Sequence, residues 1–162
     1  LAFFPYDMKR DHAAAVRDAD LIYVGGGNTP AMLAVWREFG FDTALRAAYD
    51  DGTVLAGISA GANCWFEHYV TDSVPGGGVR AGLGFVPGTY CPHLDSEAWR
   101  QAVLERCDVP AYGGGEHVLM RYDDGAMVEA VHAVPPHVAS APMCRVRAPG
   151  DAALRNVTPR AL

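Results

Sequence analysis

The chain has 162 residues, half of them apolar and a fifth charged, so it predicts one globular domain whose core needs no disulfide or metal staple. Its 13 Lys and Arg against 19 Asp and Glu give a formal net charge of −6, which argues against nucleic acid as the main partner. No apolar run approaches the roughly 18 residues of a membrane span, and the start is charged too early for a signal peptide. We therefore expect a soluble, cytoplasmic protein with no membrane partner.

The first half of the chain alternates short apolar runs with helical patterns. A half-alternating apolar stretch predicts a strand at 1–4, and a short helix follows at 12–17. The next predicted elements are a strand at 21–24, helices at 31–38 and 41–51, a fully buried strand at 53–58 and a small-residue helix at 60–70. Thr29 as N-cap and Pro30 as first helical residue mark the start of the helix at 31–38.

The second half contains more glycine turns. Residues 72–87 predict a loop, with a hairpin around the glycines at 76–78. The later predicted elements are a strand at 89–91, a helix at 96–106 capped by Ser96, a strand at 109–112, a hairpin of 118–122 with 126–131, and a strand at 143–147. The alternation predicts an α/β fold, with a mostly parallel sheet, helices on both faces and one small hairpin; ligands then bind beyond the carboxyl ends of the strands.

The four cysteines are scattered, with no CxxC pair, and this argues against both a zinc ribbon and a disulfide framework. We expect reduced, partly buried thiols. A mixed set of soft and hard donors falls later in the chain: Cys91, His93, Asp95, Glu116 and His117. Because this set lacks the spacing of a zinc motif, we predict no metal site.

The strongest local signal is GISAG at 57–61, a GxSxG pattern where a buried strand meets a helix. A nucleophile elbow requires this context, because its tight turn tolerates only small neighbours and lifts the serine hydroxyl above the sheet. Ser59 is therefore the candidate nucleophile. The alternative is a glycine-rich turn with a capping serine.

A nucleophilic serine needs a base within hydrogen-bond reach and an acid that orients the base. Of six histidines, His93 is favoured because it follows a strand end and a proline, where catalytic groups of such sheets gather; the alternative is a surface-loop histidine. Glu116 follows another strand and a glycine triplet. Other acids are rivals for the third position: Asp72, Asp95 and Asp124.

A second strand-to-helix turn, GGGNT at 25–29, offers bare amides beside a helix N-terminus, which suits an anion. In a hydrolase, the amides of Gly27 and Ala60 would form the oxyanion hole for a tetrahedral intermediate. In a nucleotide-binding protein the anion would be a phosphate, but neither the GxGxxG nor the P-loop pattern is present.

These pieces in this order resemble the serine peptidase family that contains peptidase E, the aspartyl dipeptidase, with cyanophycinase as a more distant relative. The similarity rests on an apolar strand into GGGNT, on GISAGAN at 57–63, on the pair Pro92-His93 and on Glu116 after a strand. It covers most of residues 21–131. The resemblance implies a sheet like that of class I glutamine amidotransferases, with serine in place of their elbow cysteine, and no cofactor.

Carried onto this sequence, the resemblance implies Ser59 as nucleophile, His93 as general base and Glu116 as third member of the triad. It implies that the amides of Gly27 and Ala60 are the oxyanion donors. The order Ser, His, acid differs from that of the α/β-hydrolases, which is acceptable because a triad is a geometry rather than an order.

The resemblance also implies a substrate site lined by Asn28 and Thr29, with Asp72 as an acidic position implicated in activity. In the aspartyl dipeptidases a basic segment after the histidine reads the substrate carboxylate. Here 94–101 is LDSEAWRQ, so Arg100 is the one cation of that segment and the candidate for this role. Its acidic residues would repel an acidic side chain, and the substrate side chain is left open.

The family begins with roughly two strand-helix units of about 30 residues each, and this chain has only residues 1–20 before the strand at 21–24. We therefore expect one peptidase E-like domain, 1–162, that lacks those units. Its sheet would have a hydrophobic edge near Leu21 or Val54. The chain is then a truncated or processed piece of a longer polypeptide, or its sheet is completed by a second chain, as in a homodimer.

The sequence thus predicts a serine peptidase, a dipeptidase or related exopeptidase, that hydrolyses short peptides through an acyl-enzyme with a Ser-His-Glu triad. The alternative is a noncatalytic or amidotransferase-like module that keeps the sheet and binds an anion at the GGGNT turn. The choice between exopeptidase and endopeptidase is left open.

Overall fold

A computed structural model describes residues 11–107, 110–135, 137–138 and 141–162. Within these ranges the chain is α/β. The helices are α1 (His12–Arg17), α2 (Thr29–Glu38), α3 (Phe41–Asp50), α4 (Ala60–Asn63) and α5 (Ala98–Glu105). The strands are β1 (Leu21–Val24), β2 (Val54–Gly57), β3 (Phe66–Thr71), β4 (Gly78–Ala81), β5 (Val86–Cys91), β6 (Ala111–Gly114), β7 (Val118–Asp123), β8 (Ala126–His132), β9 (Cys144–Arg147), β10 (Arg155–Asn156) and β11 (Arg160–Ala161).

Strands β1 and β2 form a parallel pair, with Leu21 opposite Val54. Within the described ranges they pair only with each other. The prediction that β2 is fully buried is wrong: Leu21 and Val54 are more than half exposed, because nothing described covers that face, whereas Ile22 and Leu55 pack on the core. Completion of this sheet by a second chain stays a prediction, and the strand predicted at 1–4 lies outside the described residues.

The six-stranded sheet has the order β10-β9-β6-β5-β3-β4. Strands β3, β5 and β6 are parallel, whereas β4, β9 and β10 join antiparallel. The expectation of a mostly parallel sheet is therefore wrong, and the sheet is mixed. Residues 72–77 between β3 and β4 are too few for a parallel crossover, so these strands form a hairpin.

The helix after Ser59 is much shorter than the predicted 60–70. It ends at Asn63, and the chain then enters β3. Residues 65–71 are mostly aromatic or β-branched (WFEHYVT), and such side chains fit a half-buried pleated strand better than a helix. Strand propensity and pairing with β4 and β5 therefore make this segment a strand.

Two predicted helix caps are also wrong. The N-cap of α2 is Asn28, whose side chain accepts a hydrogen bond from the amide of Ala31 at 3.0 Å, and Thr29 is the first helical residue. Helix α5 begins after Glu97, while the hydroxyl of Ser96 donates to the carbonyl oxygen of His93 instead.

The two faces of the six-stranded sheet have different covers. Helix α5 packs on one face, where Leu104 belongs to a small buried cluster with residues of β3, β5 and β6. On the other face the hairpin of β7 and β8, confirmed as predicted, packs Tyr122 edge-on against Phe66 and Tyr112. None of the helices in the described ranges has the length and apolarity that crossing a membrane requires.

Candidate active site

Ser59 lies with Ile58 in the two-residue connection between β2 and α4. Its backbone has a conformation that L-residues rarely adopt, with φ 54° and ψ −114°. The turn has no space for larger neighbours. A Cβ atom on Gly57 would lie 2.2 Å from the carbonyl oxygen of Gly61, and one on Gly61 would lie 2.1 Å from that of Val24. The glycines of the GxSxG pattern are therefore sterically required, and the turn has the tight strand-to-helix geometry that a nucleophile elbow needs.

His93 follows β5, and its ring reaches the elbow from the six-stranded sheet. Its Nε2 atom lies 2.9 Å from Oγ of Ser59, although the two residues are 34 positions apart in the chain. The backbone of His93 has φ 53°. This turn is fixed by the amide of Leu94, which donates to the carbonyl oxygen of Gly114, and by Ser96, which donates to that of His93.

Glu116 reaches the same ring from the loop that follows β6. Its Oε1 atom lies 2.5 Å from Nδ1 of His93, so the predicted proximity of the two side chains is present. It arises because β5 and β6 are parallel neighbours, with Cys91 opposite Gly113, and the residues that follow their ends meet at one edge. The His93 and Glu116 side chains are 36% and 58% exposed.

This geometry allows His93 to act as a general base toward Ser59. When the Nδ1–H group of His93 donates a hydrogen bond to Glu116, the lone pair of Nε2 faces the Ser59 hydroxyl. An imidazole in this tautomer can accept the hydroxyl proton, and the carboxylate can stabilise the imidazolium that forms.

The GGGNT turn lies directly beside the elbow. A Cβ atom on Gly26 would be 3.5 Å from Cβ of Ser59, and Gly27 and Ala60 line one cavity with Ser59. Ala60 is the first residue of α4, so its amide has no acceptor inside that helix. The two amides predicted as anion donors therefore border the same space as the serine.

The cavity in front of Ser59 has a volume of about 180 Å³. Of the predicted substrate residues, Thr29, Asp72 and Arg100 line it, and Asn28 does not. The Asn28 side chain caps α2 and donates to the carbonyl oxygen of Ser73 at 3.0 Å, so it ties the GGGNT turn to the segment after β3.

Arg100 is the buried cation of this cavity, with only 6% of its side chain exposed. Its guanidinium lies 2.5 Å from the carboxylate of Asp72 and 3.4 Å from that of Glu97. The charge that could attract a substrate carboxylate is thus already matched by two acids of the chain itself.

Sequence reasoning missed one side chain at the site. Asn63 is buried on the cavity wall, and its amide nitrogen lies 3.4 Å from the hydroxyl of Thr29; its place at the end of GISAGAN was the available signal. Asp95, a predicted rival for the acid position, accepts hydrogen bonds from the backbone amide of Glu116. A second rival, Asp72, pairs with Arg100. The third, Asp124, lies in the turn between β7 and β8.

Thiols near the elbow are buried and protonated. Burial raises the pKa of the Cys64 thiol far above its ordinary value, and raises that of Cys91 to about 12 despite the lowering effect of Arg100. Neither is a nucleophile at neutral pH. Among the described residues no three His, Cys, Asp or Glu side chains are grouped so that they could hold a metal ion.

Comparison with known proteins identifies the family of this chain. The family model described as Peptidase family S51 matches residues 6–129, and the chain belongs to this family. The protein described as uncharacterized peptidase YgaJ of Bacillus subtilis (strain 168) is 39% identical over 126 residues, which are 75% of this chain and 55% of that protein.

Two shorter matches bear the name peptidase E. The protein from Citrobacter koseri is 45% identical over 53 residues, and that from Actinobacillus pleuropneumoniae serotype 5b is 41% identical over 54 residues. Each covers 33% of this chain and 23% of the relative. The chain thus spans about half the length of YgaJ and under a quarter of these two.

Proposed function

We propose that this chain is a serine peptidase that hydrolyses short peptides through an acyl-enzyme on Ser59. One observation carries the proposal: a hydrogen-bonded path runs from the Ser59 hydroxyl through the His93 ring to Glu116, beside a cavity. Membership of the peptidase family supports the same reaction class.

In this mechanism Nε2 of His93 takes the Ser59 proton while Oγ attacks the carbonyl carbon of the peptide bond. Glu116 holds the ring in the required tautomer and stabilises the imidazolium. The ring then gives the proton to the leaving amine, the C–N bond breaks, and an ester remains on Oγ. Water attacks this ester as the same imidazole takes one of its protons. The ring then returns that proton to Oγ as the C–Oγ bond breaks, and the carboxylic acid product leaves.

The negative oxygen of each tetrahedral intermediate needs donors that are already in place. We assign this role to the amides of Gly27 and Ala60, which border the cavity with Ser59. Thr29, buried on the same wall, takes part in shaping the substrate site.

The size and charge of the cavity support short peptides without a strict acidic preference. Its volume of about 180 Å³ is below the range of about 300–1,000 Å³ that is usual for drug-sized ligands. Arg100 is matched by Asp72 and Glu97. A substrate carboxylate would therefore compete with two carboxylates already present.

The test is hydrolysis of a panel of dipeptides and N-blocked peptides by the wild type, by Ser59→Ala and by Thr43→Ala, which removes an exposed hydroxyl of α3. We expect Ser59→Ala to lose at least about 10³-fold in kcat/KM with an unchanged Tm, and Thr43→Ala to match the wild type. A serine-directed phosphonate should label Ser59 alone. Turnover by Ser59→Ala would exclude Ser59 as the nucleophile. Anion binding by a wild type that hydrolyses none of the panel would favour the noncatalytic module instead.

A further inference from the structure

Asp95 joins the loop that bears His93 to the loop that bears Glu116. Both of its carboxylate oxygens lie 3.1 Å from the backbone amide nitrogen of Glu116. One residue earlier, the amide of Leu94 donates to the carbonyl oxygen of Gly114 at 3.1 Å. The two loops are therefore held together next to the hydrogen bond between His93 and Glu116.

Glu116 has few other restraints. Its side chain is 58% exposed, and its bond to Nδ1 of His93 is the one side-chain hydrogen bond that the described residues give it. The next residue, His117, has φ 63°. The position of the exposed Glu116 side chain, which has several rotatable bonds, therefore depends on its own backbone. The hydrogen bonds that hold this backbone run from an amide to the Asp95 carboxylate, and such bonds are about twice as strong as neutral ones.

We propose that Asp95 is a positioning residue, which fixes the backbone of Glu116 so that its carboxylate meets Nδ1 of His93. This inference rests on the proposed function, since it assigns to Asp95 the alignment of the triad. The two carboxylates stay apart because one accepts from a backbone amide and the other from an imidazole.

Gly115 supplies the space that this contact needs. A Cβ atom there would lie 2.5 Å from Oδ2 of Asp95. Gly115 is not among the glycines with positive φ, and its amide donates to the carbonyl oxygen of Met143 at 2.8 Å. Alanine at 115 would therefore displace the carboxylate of Asp95 without imposing backbone strain.

These contacts define a double-mutant cycle in the full chain: Asp95→Ala, Gly115→Ala and both together, with Asp95→Asn as the conservative variant. We expect Asp95→Ala to lower kcat and the rate of Ser59 phosphonylation by about 10-fold to 100-fold, since misplacement by about 1 Å costs up to about 10²-fold. KM should stay unchanged. Gly115→Ala should lose as much, the double variant no more than Asp95→Ala, and Asp95→Asn, which keeps one acceptor oxygen, should recover part of the rate.

An activity-independent readout separates this inference from the proposed function. The ¹⁵N shifts of the His93 ring report its tautomer, and we expect Asp95→Ala to mix the tautomers as Glu116→Ala does, whereas Asp51→Ala, which removes an exposed carboxylate at the end of α3, should not. If the wild type is inert, the peptidase proposal fails and the ring shifts still decide the role of Asp95. Wild-type rates and ring shifts in Asp95→Ala, or additive losses in the cycle, would overturn it.

Discussion

The carboxylate of Asp72 lies 2.5 Å from the guanidinium of Arg100 on the wall of the cavity that contains Ser59. The pair is asymmetric, because Arg100 is buried and 59% of the Asp72 side chain is exposed. If the Asp72 carboxylate is removed, a substrate carboxylate could reach the buried guanidinium of Arg100 in its place.

Asp72→Asn should therefore shift the substrate preference toward acidic side chains. We expect the ratio of kcat/KM for an aspartyl dipeptide to that for an alanyl dipeptide to rise about tenfold, which corresponds to about 1.4 kcal/mol. The ratio is measured side by side for Asp72→Asn and for Asp51→Asn, an exposed substitution at the residue that follows α3. An unchanged ratio would mean that Arg100 does not face the substrate side chain.

Glu116→Gln should lower kcat by about 10² to 10⁴-fold, because an amide has no negative charge to stabilise the imidazolium and its NH2 group can hold the imidazole in the wrong tautomer. The loss should be smaller than that of Ser59→Ala, because water can reach the exposed side of this pair. Single-turnover acylation rates give the measurement. A variant with full activity would exclude Glu116 from the triad, with Asp95 as the next acid to test.

Gly61→Ala should destabilise the fold by about 3 kcal/mol, because its Cβ would overlap the carbonyl group of Val24. That group belongs to the backbone, so it cannot move aside as the end of a flexible side chain could. Gly25→Ala is the matched control, since its Cβ would meet no heavy atom within 4 Å and should change the free energy of unfolding by less than about 1 kcal/mol. Urea unfolding of both variants tests this. Equal stabilities would contradict the steric requirement at the elbow.

The buried thiols should make the protein sensitive to alkali. Burial raises the pKa of Cys144 from 9.0 to about 11 and that of Cys91 from 9.0 to about 12. Above about pH 9 the unfolded thiols lose protons that the native thiols retain, so the free energy of unfolding falls as the pH rises toward about 12.

Urea unfolding across this range should give a steady loss for the wild type. The loss should be shallower for Cys144→Ala when each protein is compared with its own stability at neutral pH. The ultraviolet absorbance of the thiolates measures their ionisation in the native protein. Ionisation near pH 9 would contradict the effect of burial.

Local patterns in the sequence determined the elements that depend on near neighbours. The turn at Ser59 needs small residues at Gly57 and Gly61, and the hairpin of β7 and β8 needs its DDG turn. Each could therefore be predicted from a few neighbouring residues. Helices α2 and α3 were predicted to within about two residues because their apolar periodicity is local.

Contacts between distant segments were decided only by the tertiary structure. Residues 66–71 form a strand that pairs with β5 along one side and β4 along the other. The antiparallel pairing of β9 with β6 joins two distant segments, and no local pattern encodes it. The pairing of Asp72 with Arg100, 28 positions apart, and the contact of Asp95 with the amide of Glu116 depend on parallel strands that end at one edge. Sequence supplied the residue types, and the register of β3, β5 and β6 decided which of them meet.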